Sequence, residues 1–87
     1  MKTHKLKLNI EFCDDVMNGI KTFEIRKNDR GFQTGDRIVF VPVEGGLKTK
    51  TYHPIETKEY VITYVLNEWG LERGYVALAI KEVKHDM

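Results

Sequence analysis

Cysteine is almost absent from this chain. Cys13 stands alone, which excludes an intramolecular disulfide and leaves any cysteine-based zinc site three ligands short. The histidines His4, His53 and His85 are too scattered to share a ligand spacing, so neither a structural metal nor a cofactor is expected. Long apolar runs are missing too. No stretch approaches the ~18 apolar residues of a membrane span. The opening Met1-Lys2-Thr3-His4-Lys5-Leu6-Lys7-Leu8 alternates charge with leucine where a signal peptide needs a continuous apolar core. The expectation is a cytoplasmic protein with no membrane partner. One sign of charge hardly outweighs the other: the net charge of +1 excludes a global polycation, so any attraction for nucleic acid must come from a local arrangement. Repeats, low-complexity tracts and interdomain linkers are also lacking.

What remains is the composition of a small folded domain. Hydrophobic residues make up 41% and charged residues 31% of the 87 positions, which suits a globule rather than a disordered chain. A chain this short makes one domain, spanning residues 1–87, and buries only about 60–65% of its unfolded surface. Its core is therefore modest.

The hydrophobic pattern is mostly that of strands. Leu6, Leu8 and Ile10 alternate with polar residues and mark a first strand over Lys5 to Ile10. From Glu11 to Asn18 the period changes, and Phe12, Cys13, Val16 and Met17 form the stripe of a short helix. Glu11 suits its positive end, and Gly19 can take the left-handed conformation that stops it. Alternation resumes with Phe23 and Ile25 on one face, expected to anchor in the core, and Thr22, Glu24 and Arg26 on the other.

Lys27 to Gly35 reads as a turn-bearing loop. Asp36 to Val43 reads as a strand covered on both faces, with Pro42 marking its end or an edge. Glu44-Gly45-Gly46 signals a reversal, and Leu47 to Glu56 a mobile loop. Lys58 to Leu66 is a long strand, with Tyr60, Ile62, Tyr64 and Leu66 set against Val61, Thr63 and Val65. A loop holding Trp69 covers Asn67 to Gly74, and Tyr75 to Val83 closes the fold before a polar tail. About five strands and one or two short helices make a mostly-β (α+β) domain. Closing the sheet into a small β-barrel plugged at one end by the helix is the economical way to remove exposed edges.

The stretch Gly19 to Arg30 is the candidate working surface. Lys21 and Arg26 flank Glu24, and Lys27, Asn28 and Arg30 follow. A carboxylate among cations can accept hydrogen bonds from a base edge while lysine and arginine contact phosphate, a combination suited to a nucleotide. The competing reading is a solvated sheet face with weak cross-strand pairing. Trp69 either stacks on a base or caps one end of the barrel, and Tyr75 divides between core and cleft. Lys48 and Lys50 could track a phosphate backbone or simply be solvated. His4 and His53 read as surface residues, Cys13 and Met17 as core.

The spacing Gly19-x-Lys21-x-x-Glu24-x-Arg26 resembles the G-x-K-x-x-E-x-R signature of the ASCH family, whose fold is PUA-like. Phe32-x-x-Gly35-Asp36 and Gly74-Tyr75-Val76-x-Leu78 are similar to that family's pattern as well, so the resemblance runs from Leu6 to about Lys81. It is nearest to small stand-alone bacterial and phage domains of unassigned function. It implies a PUA-like barrel whose helix borders a cleft lined by the signature residues, binding single-stranded RNA or a nucleotide. The nucleic-acid-binding set would be Lys21, Glu24, Arg26, Lys27, Asn28, Arg30, Trp69 and Tyr75.

Some relatives of that group hydrolyse the amide of acetylated cytidine with a Lys, a Thr and a Glu. Here Lys21 matches the lysine, Glu24 stands where the threonine would be, and Glu68 and Glu72 are the candidates for the later glutamate. On that alternative Lys21 and Glu24 would be catalytic. A third reading is a protein-interaction or regulatory domain with a vestigial cleft.

Overall fold

The computed structural model describes residues 1–84. Strand β1 (Thr3–Asn9) runs straight into helix α1 (Ile10–Met17), followed by β2 (Phe23–Lys27), β3 (Arg37–Glu44), the short β4 (Leu47–Lys48), a single 3-10 turn over Pro54–Thr57, β5 (Tyr60–Asn67) and β6 (Tyr75–Glu82). The strands form one sheet in the order β1-β3-β5-β6-β2, with β4 paired to the far end of β3. β1 and β3 are parallel, from Thr3 opposite Arg37 to Asn9 opposite Val43. Every other pairing is antiparallel.

A mostly-β domain with one helix is thus present, but the expected barrel is not closed by a ladder. β1 and β2 are the two ends of the strand order, and each keeps an unpaired edge. Side chains cross the gap instead. The Arg26 guanidinium donates to the carbonyl of Lys7, and Arg30 Nη1 donates to the carbonyl of Lys5 at 2.9 Å. Two arginines from the β2 side therefore satisfy acceptors that a neighbouring strand would have satisfied.

The inner face of the sheet and one side of α1 enclose the core, built on Leu6, Leu8, Cys13, Val16, Phe32, Ile38, Phe40, Ile55, Tyr60, Ile62, Val76, Leu78 and Ile80. The period of two in β1 is obeyed, except that Ile10 opens the helix rather than ending the strand. The first member of that alternation was missed. His4 is buried, not superficial, and its Nε2 lies 2.9 Å from Asp36 Oδ2 with its ring edge-on to Phe32. Gly19 ends the helix at φ +73° and Gly45-Gly46 makes the β3–β4 reversal at φ +60° and +83°, a turn geometry open to glycine without steric cost. Pro42 lies inside β3, opposite Leu8 of β1, and its carbonyl accepts from Thr49 N at 3.1 Å on the other flank.

Leu47 to Glu56 is better ordered than a free loop. Ile55 is fully buried, and His53 caps the 3-10 turn by accepting from Ile55 N at 3.0 Å, its Nε2 lying 2.7 Å from Asp14 Oδ1. His53 is therefore a structural clasp, not a surface residue. The polar tail with His85 falls outside the described residues.

Two strands depart from the expected facing, and both departures shape the surface. In β2, Phe23 and Ile25 are about half exposed while Glu24 is only 4% exposed. The register explains the inversion. Glu24 lies opposite Leu78 and Arg26 opposite Val76, both core residues of β6, so these two positions face inward. In β5 a bulge between Ile62 and Tyr64 interrupts the alternation. Tyr60 and Ile62 share a face, as their alternation implies, and that face is the core. The extra residue then turns Tyr64 outward, 61% exposed, and Val65 inward against the core.

Candidate nucleotide-binding cleft

An inward glutamate on an edge strand needs partners, because an unpaired buried carboxylate is costly. The sequence supplies one on each side. Gly19 turns the chain after α1, and the N–H groups of Ile20 and Lys21 return to the Asp15 carbonyl at 2.9 and 3.0 Å. Lys21 is thereby held at the end of the helix. Its ammonium donates to Glu24 Oε2 and, at 2.7 Å, to the Phe23 carbonyl. It also lies 5.3 Å from the Phe12 ring centroid and 5.0 Å from that of Phe23, within range of cation–π attraction to both. On the other side, Arg26 Nε and Nη2 both donate to Glu24 Oε1, at 3.1 and 2.8 Å.

The three side chains form one ion-pair cluster of net charge +1. Glu24 is sheltered, while Lys21 and Arg26 keep about a fifth of their side-chain surface in water. Arg26 Nη1 makes none of the hydrogen bonds among the described residues, so the cluster retains donors that its own members do not use.

The cluster lies in a cleft of about 520 Å³ between the free edges of β1 and β2, walled by Lys7, Leu8 and Asn9 on one side and by Phe23 to Arg26 on the other, with Phe12 from the helix. This size falls within the ~300–1,000 Å³ range of small-molecule sites. Chain direction adds backbone groups. Thr22 and Asn28 direct theirs to β6 and its flank, whereas the Phe23 carbonyl faces the cleft. Alternation then places the N–H and C=O of Ile25 on the cleft side. The cleft is thus bordered by backbone donors and acceptors, aromatic rings and a cationic pair.

The expected site residues are divided by the structure. Lys21, Glu24 and Arg26 meet in the cleft. Arg30 helps to fasten its rim through Lys5. Asn28, Trp69 and Tyr75 line a second hollow of about 610 Å³ at the opposite end of β2, together with Glu68, Glu72 and Arg73. Asn28 is committed to structure there: its Oδ1 accepts from Phe32 N at 3.1 Å. Lys27 is exposed and lines neither hollow.

Trp69 is 85% exposed, so it does not cap the sheet. It follows Glu68 in an unusual backbone, with φ +64° and +37° at two consecutive residues that are not glycine, a conformation that costs of order 1–3 kcal/mol per residue and concentrates at functional sites. Lys48 is drawn to Glu56 at 3.6 Å, and both Lys48 and Lys50 border a separate hollow, away from the cleft. Sequence reasoning missed Phe12, Lys7 and Asn9 as cleft residues. Phe12 had a signal, since it stands at the edge of the helical stripe, whereas Lys7 and Asn9 matter through β1's place at the end of the sheet, which no local pattern encodes.

Glu68 and Glu72 border the second hollow, so Glu24 is the one carboxylate in the lining of the cleft. Among the described residues, neither candidate for the later glutamate of the hydrolase alternative lies in the lining of the cleft with Lys21. Among the described residues no group of three His, Cys, Asp or Glu side chains is disposed to hold a metal ion, and no helix is long and apolar enough to cross a membrane.

The model of a family described as "Domain of unknown function (DUF3850)" matches residues 3–80, which takes in every strand except the last two residues of β6. The chain belongs to this family. Both the cleft and the Trp69 hollow of this DUF3850 domain fall inside the matched span. No curated protein matches the chain. Among solved structures, the DUF3850 domain is similar to one described as "Crystal structure of hypothetical protein PH0355", at 18% identity and a TM-score of 0.60, covering 95% of this chain and 100% of that one. At that identity the likeness is one of fold.

Proposed function

We propose that this domain binds a nucleotide or single-stranded RNA in the cleft between β1 and β2. The observation that supports this reading is the convergence of Lys21, Glu24 and Arg26 on one sheltered point, with net positive charge and flanking aromatic rings. The same three positions carry the resemblance to ASCH domains, so the PUA-like affinity and the binding role are proposed together. In this reading Arg26 Nη1 and the exposed part of Lys21 contact phosphate. Glu24 sets the position of both cations and offers its remaining lone pairs to a base amino group.

The test is a titration of short single-stranded RNA, and separately of mononucleotides, against wild type and Arg26→Ala over a range of salt. Loss of one phosphate-contacting cation weakens binding and lowers the salt slope by about one unit. Equal binding by both proteins would remove the cleft from consideration. Incubation with acetylcytidine addresses the hydrolase alternative: with Glu24 in the threonine's place and Glu68 and Glu72 outside the lining, no cytidine is expected above a Lys21→Ala control.

A further inference from the structure

The cleft does not end at β2. Phe23 lines it and also belongs to the outward face of β2. That face continues across β6 to β5 in registered rows. Phe23, Ala79 and Tyr64 make one row, Ile25, Ala77 and Leu66 the next, and Lys27 with Tyr75 the third. The middle strand contributes only alanine in the first two rows, so the larger side chains stand on either side of a shallow trough. Two strand spacings separate Phe23 from Tyr64, roughly 10 Å between backbones, wide enough for a planar ring between or upon their side chains. Phe23, Ile25 and Tyr64 are 48%, 54% and 61% exposed, and Trp69 stands beyond Tyr75 at the far end, 85% exposed.

Two features indicate that this face is built for a ligand. The first is the β5 bulge. Strict alternation after Tyr60 and Ile62 would bury Tyr64 in the core; the extra residue delivers it to solvent instead. The second is charge. The outward positions of β2, β6 and β5 hold Lys27 and Lys81 and no Asp or Glu. The acidic residues Glu68 and Glu72 enter only at the Trp69 end, beside Arg73. The strand rows themselves present aromatic and aliphatic groups with lysines, a combination that suits a polyanion carrying its own planar rings, which describes single-stranded nucleic acid.

We infer that the outward face of β2, β6 and β5 is a stacking platform for single-stranded RNA, continuous with the cleft at Phe23. The inference deepens the proposed function by naming a polymer as the ligand: one nucleotide enters the cleft and its neighbours stack over Phe23 and Tyr64 towards Tyr75 and Trp69. The rows from Phe23 to Lys27 span about 13 Å at ~3.3 Å per residue, room for two or three bases.

The experiment titrates a fluorescently labelled single-stranded RNA of about ten nucleotides, within the ~4–16 covered by comparable binding surfaces, against wild type, Tyr64→Ala, Tyr64→Phe and Arg26→Ala, with sedimentation of each protein alone. Tyr64→Ala should weaken RNA binding at least about fivefold, the lower end of what one stacked base contributes, while Tyr64→Phe keeps it. Mononucleotide binding should be the same in wild type and Tyr64→Ala, and Trp69 emission should fall as RNA is added.

Loss in Tyr64→Ala with none in Arg26→Ala would sustain the platform and remove the cleft. The reverse result would remove the platform and sustain the cleft. Undiminished RNA binding by Tyr64→Ala overturns the inference. So does a wild-type dimer that Tyr64→Ala dissociates, since a second copy would then be what covers this face.

Discussion

Arg26 and Lys7 belong to the two unpaired edges of the sheet, and the guanidinium of one donates to the main-chain carbonyl of the other. The same guanidinium holds Glu24 through its other N–H groups. A single side chain therefore links the fold's open seam to its candidate binding cluster, so disturbance of the cluster is expected to be felt as stability.

Glu24→Ala tests that link. It leaves Lys21 and Arg26 facing a vacated carboxylate site. The expected loss is roughly 2–3 kcal/mol in urea unfolding, below the ~3–5 kcal/mol of a fully buried pair because both cations retain contact with water. Glu24→Gln should cost less than Glu24→Ala, since the amide oxygen still accepts from one of them. A change within experimental error for Glu24→Ala would show that the cluster does not hold β2 in place.

The second prediction concerns acid stability. Asp36 lies below the usual carboxylate range, chiefly through its hydrogen bond with His4 and further through the N–H groups of Lys2 and Gln33, against an opposing effect of burial. A carboxyl depressed in the folded state favours folding above its unfolded value, near 4. That contribution is lost as pH falls through the lower folded value. Wild type should thus lose stability on acidification below about pH 4, and Asp36→Asn should flatten that part of the curve. At neutral pH Asp36→Ala should cost roughly 1–3 kcal/mol, the penalty for stranding buried donors. Parallel pH–stability curves for wild type and Asp36→Asn would refute the assignment.

Cys13 provides a third. It is fully buried under the helix, and burial pushes its thiol up to about 11, with Asp14, Glu24 and Glu56 adding to the effect. At pH 8 it is a neutral, inaccessible thiol. An aromatic disulfide reagent should leave the native protein unlabelled and react fully once denaturant unfolds it. Rapid labelling of the folded protein would contradict the position of α1.

Tyr60 provides a fourth. Its hydroxyl is buried without a hydrogen-bond partner among the described residues, and burial, with Glu82 and Cys13, pushes its phenol up to about 12. Tyr60→Phe removes a desolvated polar group while keeping the ring that packs 5.4 Å from Phe40. No loss of thermal stability is expected, and a gain of about 1 kcal/mol is in range. A marked loss would mean that the hydroxyl has a partner.

Much of this fold is legible in local pattern. The helix with its Gly19 stop, the β3–β4 reversal and the long β5 and β6 strands follow from periodicity and turn chemistry. Spacing puts Glu24 and Arg26 on one face, while Lys21 joins them because it precedes the strand, just after the helix cap. What escaped depends on pairing between distant segments. Whether Phe23 or Glu24 faces inward is fixed by the β6 register, not by β2's own alternation, and hydrophobicity alone pointed the wrong way because two cations make an inward glutamate tolerable. The bulge before Tyr64 leaves no composition signal. His4 was misjudged because its partner, Asp36, is 32 positions away, even though its place in the run with Leu6 and Leu8 already put it on the inner face.

The side-chain span across the seam has a consequence for how snugly the slot can hold an occupant. Strand-to-strand register advances only in whole residues, so a fully laddered cylinder has a fixed girth. An arginine stem changes its reach by rotating about its own single bonds. The gap between β1 and β2 is therefore not tied to whole residue steps, and under the proposed nucleotide-binding role that slack would let the slot adjust to flat guests of different breadth.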